Sequence, residues 1–345
     1  MKIVCRSFLK KKSFFLYKTK KIPEFIWPSK ENIRKTSCNL YLCNYCGHLQ
    51  LQKFNIKRIK SFYGKKTFVI PNTKEQKVRK KKIIKNFGKN YFNRRILEIG
   101  GGTNPFLQKY NKNHFIIDYK IEKKVKQMHG SNAVEGSFEK YNKKKFDIFI
   151  LFHTLEHFQN PSAIIEKIKK ISNDKSEILI EVPNFINYVL KKPYYAIFHQ
   201  HLSMFTKNTL INIFSINGFS VKKIFNSKEN IFICFKKGNC RLNIKNEYLK
   251  NSLLVKKLKT NLNKIETFLK KFFTRYGYKI IGAGGSTTLL INNFPFLIDR
   301  IYLAYDNDKN KIGKFIPGTK IKIFKGISKY KNRSVNLFKL IEKII

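Results

Sequence analysis

Residues 95–106 read RILEIGGGTNPF, and the reading of this stretch decides the fold. Ile96, Leu97 and Ile99 make a short apolar run; Gly100, Gly101 and Gly102 follow, then Thr103, Asn104 and Pro105. That order predicts a buried strand, a tight turn and the start of a helix. Glycine suits such a turn because it tolerates positive φ and lets a ligand approach the backbone closely. A second apolar run over 114–117 ends in Asp118, twenty positions after Glu98. In a strand–helix–strand unit a carboxylate at that place grips the two hydroxyls of a ribose. Alone, the stretch predicts a nucleoside-binding half-site, with a hydride-transfer dinucleotide fold still open.

Downstream, apolar runs alternate with helical periods. Residues 133–138 (AVEGSF) predict a third strand end, 146–152 (FDIFILF) a fourth strand and 176–182 (SEILIEV) a fifth. The fourth runs into His153-Thr-Leu-Glu-His157, after which Asn160 and Pro161 open a helix with apolar residues at helical spacing over 163–171. A helix over 207–217 stops at Gly218, a natural residue after a helix end. Residues 219–225 and 230–236 predict two strands joined by a short polar turn, an antiparallel end to the sheet. The pattern specifies an α/β, Rossmann-like, doubly wound core over 93–237. Residues 71–92 predict a helical connection and 238–276 a connecting helix. Over 277–345 the strand-to-glycine turn recurs (YKIIGAGG, 278–285), and a strand over 300–306 again ends in an acid, Asp306. This predicts a second, smaller Rossmann-like unit.

Residues 1–70 predict a separate small module. Cys43-x-x-Cys46 followed by Gly47 has the spacing of a zinc knuckle, a loop short enough to aim two thiolates at one tetrahedral ion. Cys5 and Cys38 are candidates for the remaining ligands, with His48 as a substitute, and Phe8 stands where a partner for Cys5 is expected. Buried free thiols are the alternative. Lysines interrupt the apolar part of the N-terminus and no small-residue cleavage site follows, so no signal peptide is expected. No apolar run approaches the ~18 residues of a membrane span. A reduced, cytoplasmic setting without disulfides is the expectation for the six cysteines. The 72 Lys and Arg against 21 Asp and Glu give a net charge of +51. Nucleic acid or an anionic membrane would suit such a charge. The lysines are spread along the whole chain, however, alongside abundant asparagine, isoleucine and phenylalanine. That reads as compositional bias, and no specific nucleic-acid partner is expected.

The central motifs together resemble class I S-adenosylmethionine-dependent methyltransferases. The residues carrying the resemblance are Leu97-Glu-Ile-Gly-Gly-Gly102, Asp118, Phe146-Asp147 leading to His153-x-Leu-Glu-His157-x-x-Asn-Pro161, Glu181-Val-Pro-Asn184 and His201-Leu-Ser-x-Phe-Thr206. The flanking cysteine knuckle, the later GAGG turn and Ile316-Pro-Gly-Thr319 make the whole chain similar to three-part sugar C-methyltransferases. Those pair an N-terminal zinc module, a methyltransferase core and a C-terminal Rossmann-like domain, and act on nucleotide-linked keto-deoxysugars.

The resemblance implies S-adenosylmethionine as cofactor. It would lie over Gly100, Gly101 and Gly102 near Glu98, with its ribose on Asp118. Ser137 and Phe138 would flank the adenine, and Phe152, His153 and Thr154 would line the methyl-donor side. A structural zinc would sit on Cys5, Cys38, Cys43 and Cys46. Methylating carbon beside a ketone needs a base for the acidic proton and a donor for the enolate. His201 is the candidate base, Gln200 the candidate donor and His199 the second choice of base. Three departures stand out: Phe8 stands in place of the second cysteine of the zinc module's first pair, Phe198-His199-Gln200-His201 replaces the family's Tyr-His-Glu-His, and the C-terminal unit reads as shortened. A small-molecule O- or N-methyltransferase on the same core and a degenerate, non-catalytic binding protein remain alternatives. A nucleic-acid methyltransferase fits less well, because the fourth strand lacks the Asn/Asp-Pro-Pro-aromatic turn that holds a flipped base.

Overall fold

Ile148, Phe149, Ile150 and Leu151 are all fully buried, and they alternate between two cores. Phe149 and Leu151 join Leu97, Ile178 and Ile180 on one face of a sheet. Ile148 and Ile150 join Ile96, Leu179 and Phe232 on the other. Burial on both faces is why these strands read as continuous apolar runs rather than alternating ones. The computed structural model describes residues 2–52, 73–143, 145–227, 229–238, 244–326, 334–342 and 344. The end of the first predicted segment, the start of the helical connection and Cys240 lie outside the described residues.

Seven strands form the central sheet. They are β1 (Ile96–Ile99), β2 (His114–Asp118), β3 (Ala133–Glu135), β4 (Phe146–Phe152), β5 (Ser172–Pro183), β6 (Phe219–Phe225) and β7 (Asn230–Lys237). Their spatial order is β6-β7-β5-β4-β1-β2-β3. Neighbours from β5 through β3 pair in parallel, and β7 runs antiparallel to both β5 and β6. The order reverses between β1 and β4. At such a switch point, beyond the carboxyl ends of the strands, open α/β sheets bind their ligands.

The helices follow local chemistry. Pro161–Ile171 starts with Pro at its first turn, and the Asn160 side chain accepts the Ala163 N–H at 3.0 Å. Its Ile164, Ile165, Ile168 and Ile171 form the buried face. Lys207–Ile216 begins with a reciprocal cap between Thr206 and Thr209. It stops where Gly218 takes φ +83°.

One expected helix is not there. Residues 100–113, after the glycine turn, are irregular. Pro105 and three asparagines make that segment a poor helix former. The Phe106 and Leu107 N–H groups turn instead to the buried Glu98 carboxylate, at 2.7 and 2.9 Å.

Strands Lys2–Val4, Lys12–Lys18, Asn39–Cys43 and Leu49–Leu51 form an antiparallel sheet completed by Ser203–Met204, from the chain between β5 and β6. Near the other end, Lys322–Lys325, Ile301–Asp306, Tyr278–Ile281 and Ser334–Val335 form a parallel sheet in that order. The helix Tyr248–Phe272 is held to the rest by buried asparagines: Asn251 Nδ2 donates to Gly47 O at 2.7 Å and Asn261 Nδ2 to Val189 O at 2.8 Å. Among the described residues no helix is long and apolar enough to cross a membrane.

Candidate active site

The glycine turn, Asp118 and the end of β4 meet at one edge of the sheet. Gly100 takes φ +92°, and a Cβ there would fall 2.4 Å from Thr154 Oγ1, so only glycine lets β4 close on the turn. Gly102 N–H donates to Asp118 Oδ2 at 2.8 Å. A Cβ on Gly102 would lie 2.0 Å from the Lys120 carbonyl oxygen. Asp118 is pushed above the usual carboxylate range by burial, against which the Gly102, Tyr119 and Lys120 N–H groups act. The structure thus brings Gly100, Gly101, Gly102, Asp118, Phe152, His153 and Thr154 to the switch point.

Two predicted cofactor residues do other work. Glu98 is buried, and its two oxygens accept the Phe106 and Leu107 N–H groups. It holds the loop rather than facing a ligand. Phe138 is 3% exposed and packs in the core with Tyr141, which leaves little of its ring for an adenine. Ser137 donates to Glu139 Oε2 at the surface.

The end of β4 carries a second cluster. His153 has φ +52°, a strained left-handed conformation for a non-glycine residue. It turns the chain so that His153, Glu156 and His157 face one place, joined there by His201 from the segment before Ser203–Met204. Glu156 Oε1 lies 3.7 Å from His153 Nδ1, 3.9 Å from His157 Nε2 and 4.0 Å from His201 Nε2. His157 Nδ1 donates to Gln200 O at 2.6 Å. Leu202 N–H donates to Glu156 O at 2.8 Å, fixing the two segments against each other. The N-terminal sheet grips the same segment: Leu51 N–H donates to Leu202 O at 3.0 Å, and the buried Arg6 guanidinium donates to that oxygen as well.

The electrostatics separate these imidazoles. Burial and then the neighbouring His157 lower His201 to about 3, with Glu156 opposing them. It is neutral, with a lone pair available. Burial works against charge on His153 too, yet Glu156 and Glu181 prevail and raise it to about 9. Glu181 in turn receives Arg79 through two bonds, at 2.7 and 3.1 Å. Burial opposes its ionisation, but His153 and Arg79 together bring it down to about 2.

The other catalytic candidates are corrected. His199 is buried beneath the N-terminal sheet, its ring against Cys38 Sγ at 3.1 Å and the Ile22 and Thr36 carbonyl oxygens at 3.2 and 3.1 Å. It is spent on structure and is not an alternative base. Gln200 is buried and meets the cluster through its backbone carbonyl rather than its side chain. Sequence reasoning missed the centrality of Glu156, although the signal was there. Glu156 and His157 follow His153 by three and four positions, a spacing that gathers side chains on one side of a helical turn.

The cysteines also divide. Cys5, Cys43 and Cys46 are buried with their sulfurs within 4.8 Å of one another. Hydrogen bonds from Cys46 and Cys5 pull the Cys43 thiol well below its usual range, so one thiolate is stabilised by two thiols. Three corners of a tetrahedral zinc site are thereby available. Cys38 is not the fourth. It precedes the strand that ends at Cys43, packs in a different core with Ile22 and Leu40, and turns its Sγ to His199 Nδ1 at 3.1 Å. His48 does not complete the set: neither of its nitrogens lies within 4.8 Å of all three sulfurs, and its Nε2 meets Ser203 Oγ at 3.2 Å.

A family profile described as a methyltransferase domain matches residues 72–224. Over that stretch, under half of the chain, the sequence matches a methyltransferase domain. The glycine turn and Asp118 suit S-adenosylmethionine, the methyl donor of such domains. Similar solved structures include the pyocyanin biosynthetic protein PhzM, at 13% identity over 45% of this chain and 53% of that one, with a TM-score of 0.34. Others are magnesium protoporphyrin IX methyltransferase from Synechocystis PCC 6803 with bound SAH (12% identity, 53% of this chain and 94% of that one, TM-score 0.35) and N,N-8-amino-8-demethyl-D-riboflavin dimethyltransferase from Streptomyces davawensis (14% identity, 47% and 57%, TM-score 0.35). The chain spans about half the length of the first of these. A search of curated proteins found no match.

Proposed function

We propose that this chain is an S-adenosylmethionine-dependent methyltransferase of small molecules. In this reading the methyl goes to the carbon beside the ketone of a nucleotide-linked keto-deoxysugar, with His201 as general base. The observation that carries the proposal is the meeting, at one sheet edge, of the glycine turn and Asp118 with the Glu156–His157–His201 cluster. The cofactor's methionine part would lie over Gly100 and Gly102, its ribose on Asp118 and its sulfonium toward Thr154. The acceptor would enter beside His201. His201 Nε2 takes the acidic proton, and Glu156 stabilises the imidazolium that forms, which offsets the low resting basicity of the buried ring. The carbanion would then attack the cofactor's methyl carbon in line, forming the new C–C bond as the C–S bond breaks and the neutral thioether leaves. We propose further that Cys5, Cys43 and Cys46 hold a structural zinc that stiffens the sheet gripping Leu202.

Transfer to oxygen on the same core is the second reading. The substitution of Gln200 for a family glutamate, and the burial of His199, both weaken the enolate chemistry and favour it. The test is a screen of nucleotide-linked keto-sugars with methyl-labelled cofactor. His201→Ala should lower kcat by on the order of 100-fold or more while cofactor affinity holds. Unchanged turnover removes His201 as the base. Label on oxygen favours the second reading, and absence of cofactor binding at millimolar concentration defeats both.

A further inference from the structure

We infer that Glu156, His157 and His201 form a binding site for a first-row divalent cation. Binding itself does not depend on the proposed reaction; its consequence for turnover rests on that reading. The three side chains offer one carboxylate oxygen and two imidazole nitrogens, all within 4.8 Å of one another. Two imidazoles and a carboxylate, with the remaining positions open, suit Mn2+, Fe2+, Co2+ or Zn2+.

Glu156 is 1% exposed, and neither carboxylate oxygen has a hydrogen-bond partner. A buried carboxylate in that state is costly. The surrounding imidazoles favour its charge across space, yet their nitrogens stand beyond hydrogen-bond length, at 3.7 to 4.0 Å. His157 Nδ1 faces a carbonyl oxygen at 2.6 Å and must carry the proton. Its Nε2 faces Glu156 Oε1 at 3.9 Å, beyond hydrogen-bond length. A cation held between the two would reach both. The Gln200 carbonyl that fixes the tautomer is the kind of outer partner that metal-binding histidines use. His153 is the competing source of positive charge. Its Nδ1 stands 3.7 Å from Glu156 Oε1, beyond hydrogen-bond length, and its Nε2 faces Glu181 at 3.5 Å and Asn230 at 3.3 Å.

The bond from Leu202 N–H to Glu156 O keeps the ligands together without metal, so the site is built rather than assembled on binding. It also differs in kind from the cluster of Cys5, Cys43 and Cys46, whose soft sulfurs favour zinc over manganese. A cation at the new site occupies His201 Nε2. The cation and the substrate's proton are therefore exclusive occupants of one nitrogen, and metal loading inhibits any turnover that uses His201 as base.

The experiment titrates Mn2+ alone into the full chain after mild chelation, read by electron paramagnetic resonance. One Mn2+ per chain is expected. Glu156→Gln and His201→Asn should each weaken it by ~10-fold or more, and Glu166→Gln, at an exposed carboxylate outside the cluster, should leave it unchanged. Thermal unfolding of each variant reports whether the fold survives, and two variants guard against loss of either one. No Mn2+ binding, or wild-type affinity in both folded variants, overturns the site. Cofactor binding and turnover are measured alongside. Their loss with Mn2+ binding intact defeats the methyltransferase reading and leaves the cation site standing; the converse result defeats only the cation site.

Discussion

Two units of this chain share one device and use it for different ends. In the central unit Gly100 takes φ +92°, and Gly102 N–H donates to Asp118 Oδ2 at 2.8 Å. In the C-terminal unit Gly282 takes φ +90°, and Ala283 N–H donates to Asp306 Oδ2 at 2.9 Å. The likeness stops there. Asp306 also holds Lys311 Nζ at 3.0 Å; burial opposes its charge, but the Asp308 and Ala283 N–H groups and Lys311 keep its pKa low. Asp118 forms no salt bridge with a described residue, and burial moves it the other way. The C-terminal turn leads at once into the helix Gly285–Asn293, and Ile26 and Trp27 pack on that helix's first residue. The central turn leads into irregular chain anchored by Glu98. A strand–glycine–acid pattern therefore announces a turn, and the partners of the acid tell whether the turn serves a ligand or packing.

The largest effect that would break this contrast is expected at Gly102. Its substitution by alanine places a Cβ 2.0 Å from a backbone carbonyl oxygen and 2.8 Å from Asp118 Cβ, neither of which can swing away. Gly102→Ala should destabilise the chain by about 3 kcal/mol or more and abolish cofactor binding. Denaturant unfolding and cofactor titration read the two effects. Wild-type values in both would mean that the turn tolerates a side chain and that its glycines are not there for a ligand.

Much of this was legible in the sequence, for physical reasons. Strands buried on both faces leave uninterrupted apolar runs, so β1, β2, β4 and β5 could be read directly, as could the capped helix at Pro161–Ile171. The site was legible only where backbone dictated residue type, as at Gly100 and Gly102. Side chains whose role depends on distant chain were misread. Glu98 turned inward to a loop eight residues on, His199 went under a sheet built from residues far earlier in the sequence, and Cys38 packed against His199, away from the other cysteines. The local spacing of His153, Glu156 and His157 pointed to one face, but the arrival there of His201, 45 positions beyond Glu156, no local spacing could announce.

Glu98 sharpens the comparison through pH. The C-terminal unit has apolar Ile280 and Ile281 near the end of its corresponding strand, so only the central unit carries a buried carboxyl there. Burial raises Glu98 from 4.5 to about 7, with the Leu107 and Phe106 N–H groups opposing. A carboxyl raised in the folded state favours the protonated form. Its contribution is complete below pH 4.5 and is lost as pH rises through 7, a loss on the order of 3 kcal/mol. His153, raised from 6.5 to about 9, adds a loss of the same sign at higher pH. Histidines that burial holds neutral, His201 and His48, act in the opposite sense below pH 6.5. The stability of the wild-type chain relative to Glu98→Gln, measured by denaturant, should therefore fall between pH 5 and 7, and wild-type stability itself should fall from pH 7 to 9. A difference between the two chains that does not change with pH would remove Glu98 as a strained anchor of the loop.

The smallest effect is expected at Gly285, the packing counterpart of Gly102. A Cβ there would stand 2.7 Å from Ile26 Cδ1, 3.1 Å from Ile26 Cγ1 and 3.3 Å from Trp27 Cη2. These are side-chain atoms, and the tip of Ile26 can turn where a carbonyl oxygen cannot. Gly285→Ala should cost about 1 kcal/mol. Removing Ile26 Cδ1 takes away the nearest clash, so in an Ile26→Val background much of that cost should vanish, a coupling readable by a double-mutant cycle. Cofactor affinity should not change in any of these variants. A fall in affinity at Gly285→Ala would mean that the two glycine turns are linked through the N-terminal segment, and that the C-terminal unit is more than a packing platform.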